Sequence, residues 1–108
     1  MGPFQSFATA IASAALLAPA PAGATPRGHV VVIANMKFGP MPPHLKAGDT
    51  IVWINKDIIR HTATAKDQTF HVDLPPGGRG KTVVPGPGRH AFYCVYHPTM
   101  TGSLSVFK

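Results

Sequence analysis

The chain has 108 residues, a single cysteine, four acidic residues that are all aspartate, and a formal net charge of +6. That length holds one domain, and one cysteine excludes both an internal disulfide framework and a four-cysteine zinc site. An apolar content of 44% against 13% charged residues excludes general disorder, 11 Gly and 12 Pro favour short strands over long helices, and the basic balance alone selects no partner among acidic proteins, nucleic acids and anionic membranes.

Residues 1–24 carry no charge. Phe7 to Ala18 is an apolar run of small residues, ended by Pro19 and Pro21. Ala22-Gly23-Ala24 follows as a small-x-small cleavage signal. This anatomy predicts a secretory signal peptide over 1–24, a mature domain over 25–108 and a periplasmic address. The leader lacks the usual basic residues at its start, which fits a start further upstream. The run is too short to cross a hydrocarbon core about 30 Å thick, so no stable membrane anchor is expected.

In the mature chain, Val30-Val31-Val32-Ile33 and Thr50-Ile51-Val52-Trp53-Ile54 read as strands buried on both faces or nearly so. Gly48-Asp49 is a turn pair before the second. His61-Thr62-Ala63-Thr64-Ala65 alternates, which puts His61, Ala63 and Ala65 on one face. Leu74 to Gly80, rich in Pro and Gly, reads as a loop. Thr82-Val83-Val84 and His90 to Val95 are further strands, separated by Pro85-Gly86-Pro87-Gly88. Gly102 reads as a turn residue before Ser103 to Phe107, where Leu104 and Val106 face the core. Short strands with turns about every ten residues predict an all-β sandwich with Greek-key links.

Chemistry concentrates in Cys94-Val95-Tyr96-His97-Pro98-Thr99-Met100, where Cys, His and Met recur at intervals of three. A thiolate, an imidazole and a thioether select a soft or borderline ion, copper above all. Three residues reach at most about 10 Å when extended, so a folded loop gathers all three donors around one ion. Pro98 argues against a helix here, because its ring removes an N–H and keeps His97 out of the α region. A blue-copper site needs a second imidazole. His61, at the start of a strand after the Trp53 strand, is the best candidate; His29, His44, His71 and His90 have no comparable context. A Cys94/His97 nucleophile pair is the competing chemical reading, but no third residue is placed to orient His97 and Met100 would have no role.

At these residues the sequence resembles the cupredoxins, the small blue copper proteins, and within them the amicyanin type. Ile33 to Phe38, Leu45 to Asp57, His61-Thr62 and Gly88 to Gly102 match consecutive family blocks, and the short Cys-x-x-His-Pro-x-Met spacing is specific to that type. The resemblance implies a Greek-key sandwich of about eight strands, one type 1 copper held by His61, Cys94, His97 and Met100, and electron carriage without enzymatic activity. It also implies a buried His61 and an exposed His97. Two departures stand out. Thr62 replaces the usual Asn after the first His and has to hold the Cys94 loop by a different hydrogen bond. Arg60 replaces a proline of the docking patch, so amicyanin's amine dehydrogenase partner is not carried over.

The expected role is therefore a monomeric periplasmic shuttle for single electrons. Its donor and acceptor would be redox proteins of the cytochrome c or dehydrogenase kind, acidic ones if a collar of Lys37, Lys46, Lys56, Arg60 and Lys66 steers them. Met36, Met41, Pro42, Pro43, Ile58, Ile59, Tyr96 and Pro98 would form an apolar rim around His97. The alternative is a periplasmic copper carrier or buffer without electron transfer. A copper oxidase needs a further ligand cluster, and nucleic-acid binding needs a motif or stacking platform that the chain lacks.

Overall fold

A computed structural model describes residues 25–108; the leader read at 1–24 lies outside the described residues. In chain order the strands are β1 (Gly28–Ala34), β2 (Lys37–Phe38), β3 (Leu45–Lys46), β4 (Thr50–Asn55), β5 (His61–Ala65), β6 (His71–Leu74), β7 (Arg79–Val83), β8 (Gly88–Tyr93) and β9 (Thr101–Phe107). One sheet runs β2-β1-β4-β7 and the other β3-β9-β8-β5-β6. The pairs β1/β4 and β3/β9 are parallel and the rest antiparallel. This is the expected all-β sandwich. It has nine strands rather than eight because β2 and β3 are pieces of two residues each.

β1 and β4 alternate between buried and partly exposed side chains, and Val30 is 57% exposed. The expectation of burial on both faces is therefore corrected: each sheet of a sandwich has only one covered face. Val31, Ile33, Ile51 and Trp53 point inward and meet Leu74, Phe92 and Leu104 from the other sheet. Trp53 and Phe92 pack edge to face with ring centroids 5.3 Å apart, and Phe38 meets Phe92 at 4.7 Å. The indole N–H of Trp53 donates to Thr82 Oγ1 at 2.8 Å, so the largest core side chain leaves no buried donor unpaired.

Two glycines act through space rather than conformation. The stretch from Leu74 to Gly80, expected as a loop, is one over residues 75–78, while Leu74 closes β6 and Arg79 and Gly80 open β7. A Cβ on Gly80 would collide with Val72 of β6, so glycine lets the edges of the two sheets approach. Gly102 lies within β9, not at a turn, and a Cβ there would enter the ring of Phe92. Gly48, by contrast, has φ +92°, and its turn closes with the N–H of Asp49 donating to Lys46 O at 3.0 Å.

The sandwich has two poles. β4 ends, β5 begins, β8 ends and β9 begins at one of them, which gathers Asn55, His61, Tyr93 and Thr101. At the other, Asp49 is buried and accepts from Arg27 N–H at 2.9 Å, Lys46 N–H at 3.0 Å and the His29 ring at 2.9 Å. Burial would raise the Asp49 pKa, but the bonds from Arg27, His29 and Lys46 together outweigh it and lower it to about 2.

Two outcomes follow for stability. Gly102→Ala should destabilise the chain by about 1–3 kcal/mol in urea unfolding, because the added Cβ would overlap the ring of fully buried Phe92. A depressed carboxylate pKa adds stability that is complete above the ordinary value of 3.8 and disappears as pH falls toward about 2. Asp49→Asn should therefore lower stability near neutral pH by about 1–2 kcal/mol and flatten the profile across that acidic window, read as thermal midpoints against pH.

Candidate metal centre

β5 opens on His61 and β8 stops one residue before Cys94, so the two side chains enter the same pole from neighbouring strands. The following loop folds back on itself. Met100 N–H donates to His97 O at 2.8 Å, and Cys94 N–H donates to Met100 O at 3.1 Å. These bonds return Met100 to the side of Cys94, and both side chains are buried in the hydrophobic core cluster.

His61 Nδ1 and His97 Nδ1 each lie 3.7 Å from Cys94 Sγ, and all three donor atoms fall within 4.8 Å of one another. Bond lengths of about 2.0–2.3 Å to nitrogen and sulfur give donor separations of about 3.6–3.8 Å around one ion in tetrahedral or trigonal geometry. The spacing therefore suits a single metal ion. His61 is fully buried and His97 is partly exposed, as expected of the two imidazoles.

The tautomer of His61 is set from outside. Its Nε2 lies 2.8 Å from Asp57 Oδ2, and an ionised carboxylate only accepts, so Nε2 carries the proton. The Nδ1 lone pair is left facing Cys94 and His97, which is the state a metal-binding imidazole requires. Asp57 also accepts Asn35 N–H at 2.8 Å on Oδ1 and Met36 N–H at 3.0 Å on Oδ2. His61 first, then the Met36 and Asn35 amides, hold its carboxyl below the usual carboxylate range against the opposing effect of burial. Asn35 and Met36 form the two-residue turn between β1 and β2 with φ of 53° and 61°, so the carboxylate steadies a strained turn and a histidine together.

The thiol side has its own supports. Thr62 N–H points at Cys94 Sγ from 3.4 Å, and Val95 N–H donates to Thr62 Oγ1 at 2.9 Å. The second bond is the substitute that the missing Asn calls for. Buried Asn55 donates from Nδ2 to Ile59 O at 2.8 Å and Leu74 O at 3.1 Å, and its Oδ1 accepts Asp57 N–H at 2.9 Å. Asp57 and Asn55 escape a reading centred on metal donors. The signal that marks them is an Asn-x-Asp pair just after a strand, the composition of an Asx turn.

A family model described as the cupredoxin-like domain matches residues 6–106. The chain belongs to the cupredoxin-like family. It is 29% identical over 92 residues to amicyanin from Paracoccus denitrificans, a match that covers 71% of this chain and 63% of that protein. The chain thus spans less than two thirds of that relative's length. Among solved structures, a purple cupredoxin from Nitrosopumilus maritimus is similar with a TM-score of 0.64 at 25% identity, over 72% of this chain and 98% of that one. An amicyanin variant solved in its Cu(I) form gives a TM-score of 0.61 at 26% identity, over 73% of this chain and 81% of that one.

The other histidines of this cupredoxin stand apart from the cluster. His29 pairs with Asp49, His90 with Asp67 at 2.6 Å, and His71 with Thr64. The basic collar needs correction. Lys46 and Lys66 lie at the opposite pole, where β3 meets the end of β9 and where β5 ends. Arg60 spends its charge on Asp73 at 2.6 Å. Lys37 and Lys56 remain near the cluster. Of the apolar rim, Met36, Ile58, Ile59 and Tyr96 are exposed, whereas Met41 packs against the core.

Asp57→Asn should lower Cu(II) affinity by about 10- to 100-fold in chelator competition, because a neutral amide no longer fixes the Nε2–H tautomer of His61.

Proposed function

We propose that this cupredoxin is a periplasmic blue copper protein that carries single electrons between redox proteins. The observation that carries the reading is the triangle of His61 Nδ1, Cys94 Sγ and His97 Nδ1, at 3.7 Å along two sides, with Met100 buried beside it. Two imidazoles and one thiolate with a thioether as the weak fourth donor is the set that suits copper; zinc would demand four strong ligands in a tetrahedron. His61, Cys94, His97 and Met100 are thus the proposed ligands of one type 1 copper. Bound there, copper supplies a one-electron Cu(II)/Cu(I) couple.

The chain's own part is to hold the donors and shape access. The buried side of the site is dry: His61 and Cys94 are fully covered, and the core cluster lies beneath them. His97 brings its ring to the surface between exposed Tyr96 and Pro98, so a docked protein lies within short range of the centre. Ile58, 90% exposed, and Met36 supply apolar contact nearby. Lys37 and Lys56 favour an acidic donor or acceptor, as does the net charge of +6. The leader over 1–24 supports the periplasmic address.

Addition of Cu(II) to the purified chain should produce an intense thiolate-to-copper absorption that reductant abolishes and oxidant restores. Cys94→Ser should remove that band and lower thermal stability in the presence of copper, since metal affinity couples to folding. A Ser variant that stays intensely coloured would show that another group is the strong ligand. A colourless wild type that still binds copper would favour the carrier reading.

A further inference from the structure

Along β5 the side chains alternate, so Thr62 and Thr64 lie on the face opposite to His61, Ala63 and Ala65. Thr64 is paired in register with His71 on β6 and with Tyr93 on β8. Val95 N–H donates to Thr62 Oγ1 at 2.9 Å, Thr62 Oγ1 lies 2.9 Å from Thr64 Oγ1, and Thr64 Oγ1 lies 2.8 Å from His71 Nδ1. A continuous line of hydrogen bonds therefore joins the amide next to Cys94 to an imidazole at the surface. Thr62 is only 2% exposed, so its hydroxyl depends on this line for partners.

Proton counting fixes the direction. Val95 N–H can only donate, and each hydroxyl has one hydrogen to give. While His71 Nδ1 is unprotonated it accepts from Thr64, Thr64 accepts from Thr62, and Thr62 accepts from Val95. Every hydroxyl then donates once and accepts once, and bonds in such a chain strengthen one another. A proton on His71 Nδ1 reverses the outer link. Thr64 Oγ1 then accepts from the ring and its own hydrogen is released, so the bond between the two hydroxyls is free to reverse; when Thr64 turns its hydrogen toward Thr62, that oxygen accepts twice while its own hydrogen loses its partner in the line. In that orientation the bond to Val95 weakens, because Thr62 no longer donates onward.

We infer that Thr62 is a positioning residue for the loop from Cys94 to Met100, and that its grip is set by the protonation state of His71, a surface histidine outside the ligand set. The effect on bound copper rests on the reading above; the grip on Val95 does not. Other charged or titratable groups face this line. Asp73 lies beside Thr62 in register and is paired with Arg60, and Tyr93 lies beside Thr64. Lys66 and Asp67 stand in the turn after β5, where Asp67 is taken by His90 and Thr69.

Nuclear magnetic resonance of the full chain, metal-free and Cu(I)-loaded, reads the Val95 amide and the His71 ring across pH. The Val95 shift should move in step with His71, and His71→Gln should abolish that movement. Amide exchange at Val95 should be about fivefold faster in Thr62→Val, the loss of about 1 kcal/mol, and should return toward wild type in Thr62→Ser. With Cu(II) bound, the thiolate band of the wild type should shift over the same pH range and that of His71→Gln should not. If Thr62→Val fails to fold, the comparison of wild type with His71→Gln decides alone. A Val95 titration that persists in His71→Gln, or Val95 exchange that is the same in Thr62→Val as in wild type, would overturn the inference. A wild type without a thiolate band would overturn the copper reading, while the Val95 measurements still decide this one.

Discussion

One carboxylate, that of Asp57, joins the parts that the site needs to be joined. It accepts a hydrogen bond from His61 Nε2–H on one side and from the amides of Asn35 and Met36 on the other. The first contact fixes which nitrogen of a buried imidazole is free to bind. The second ties that imidazole to the β1–β2 turn, which belongs to the opposite sheet. A histidine held only by its own strand could rotate about its side-chain bonds. Here rotation would break a charge-assisted bond between a fully buried imidazole and a mostly covered carboxylate. Asn55 in turn holds Asp57, and its Nδ2 group reaches the carbonyls of Ile59 and Leu74, so the segment between β4 and β5 is fixed from both ends.

The sandwich supplies the stiffness beneath. Trp53, Phe38, Phe70 and Phe92 meet at centroid separations of 4.7–6.1 Å across the two sheets. Phe92 sits two residues before Cys94, and Trp53 two before Asn55. The strands that deliver Cys94 and Asn55 are thus each anchored one side-chain repeat earlier by an aromatic ring. The room for Phe92 comes from Gly102, on the strand that carries the chain away from Met100. Core packing and site geometry are consequently one problem: a change in ring position moves the base of the loop that holds three of the four proposed donors.

Much of this was legible in the sequence where neighbours in space are neighbours in the chain. Cys94, His97 and Met100 share one loop, and Pro98 within it argues for a turn. His61 was legible as an inward-facing position of an alternating strand. What joins distant segments was not. Asp57 binds Asn35 and Met36, 22 and 21 positions away, and no local pattern announces those partners. Thr62 announced a substitution but not its replacement bond to Val95. Gly80 and Gly102 read as turn residues because glycine identity does not say whether it provides an unusual φ or simply space. Lys46 and Lys66 lie at the pole away from the site for a related reason: charge is written in the sequence, but the end of the sandwich at which it lies is decided by strand direction.

The central claim is that the polypeptide arranges the donors before any metal arrives. Crystal structures of the metal-free and copper-loaded protein test it most directly. Pre-organisation predicts that His61 Nδ1 and His97 Nδ1 stay near 3.7 Å from Cys94 Sγ in both forms, with the Asp57 bond to His61 intact. A metal-free structure in which His61 has turned away from Cys94, or in which the loop from Cys94 to Met100 has opened and closes only around copper, would contradict it.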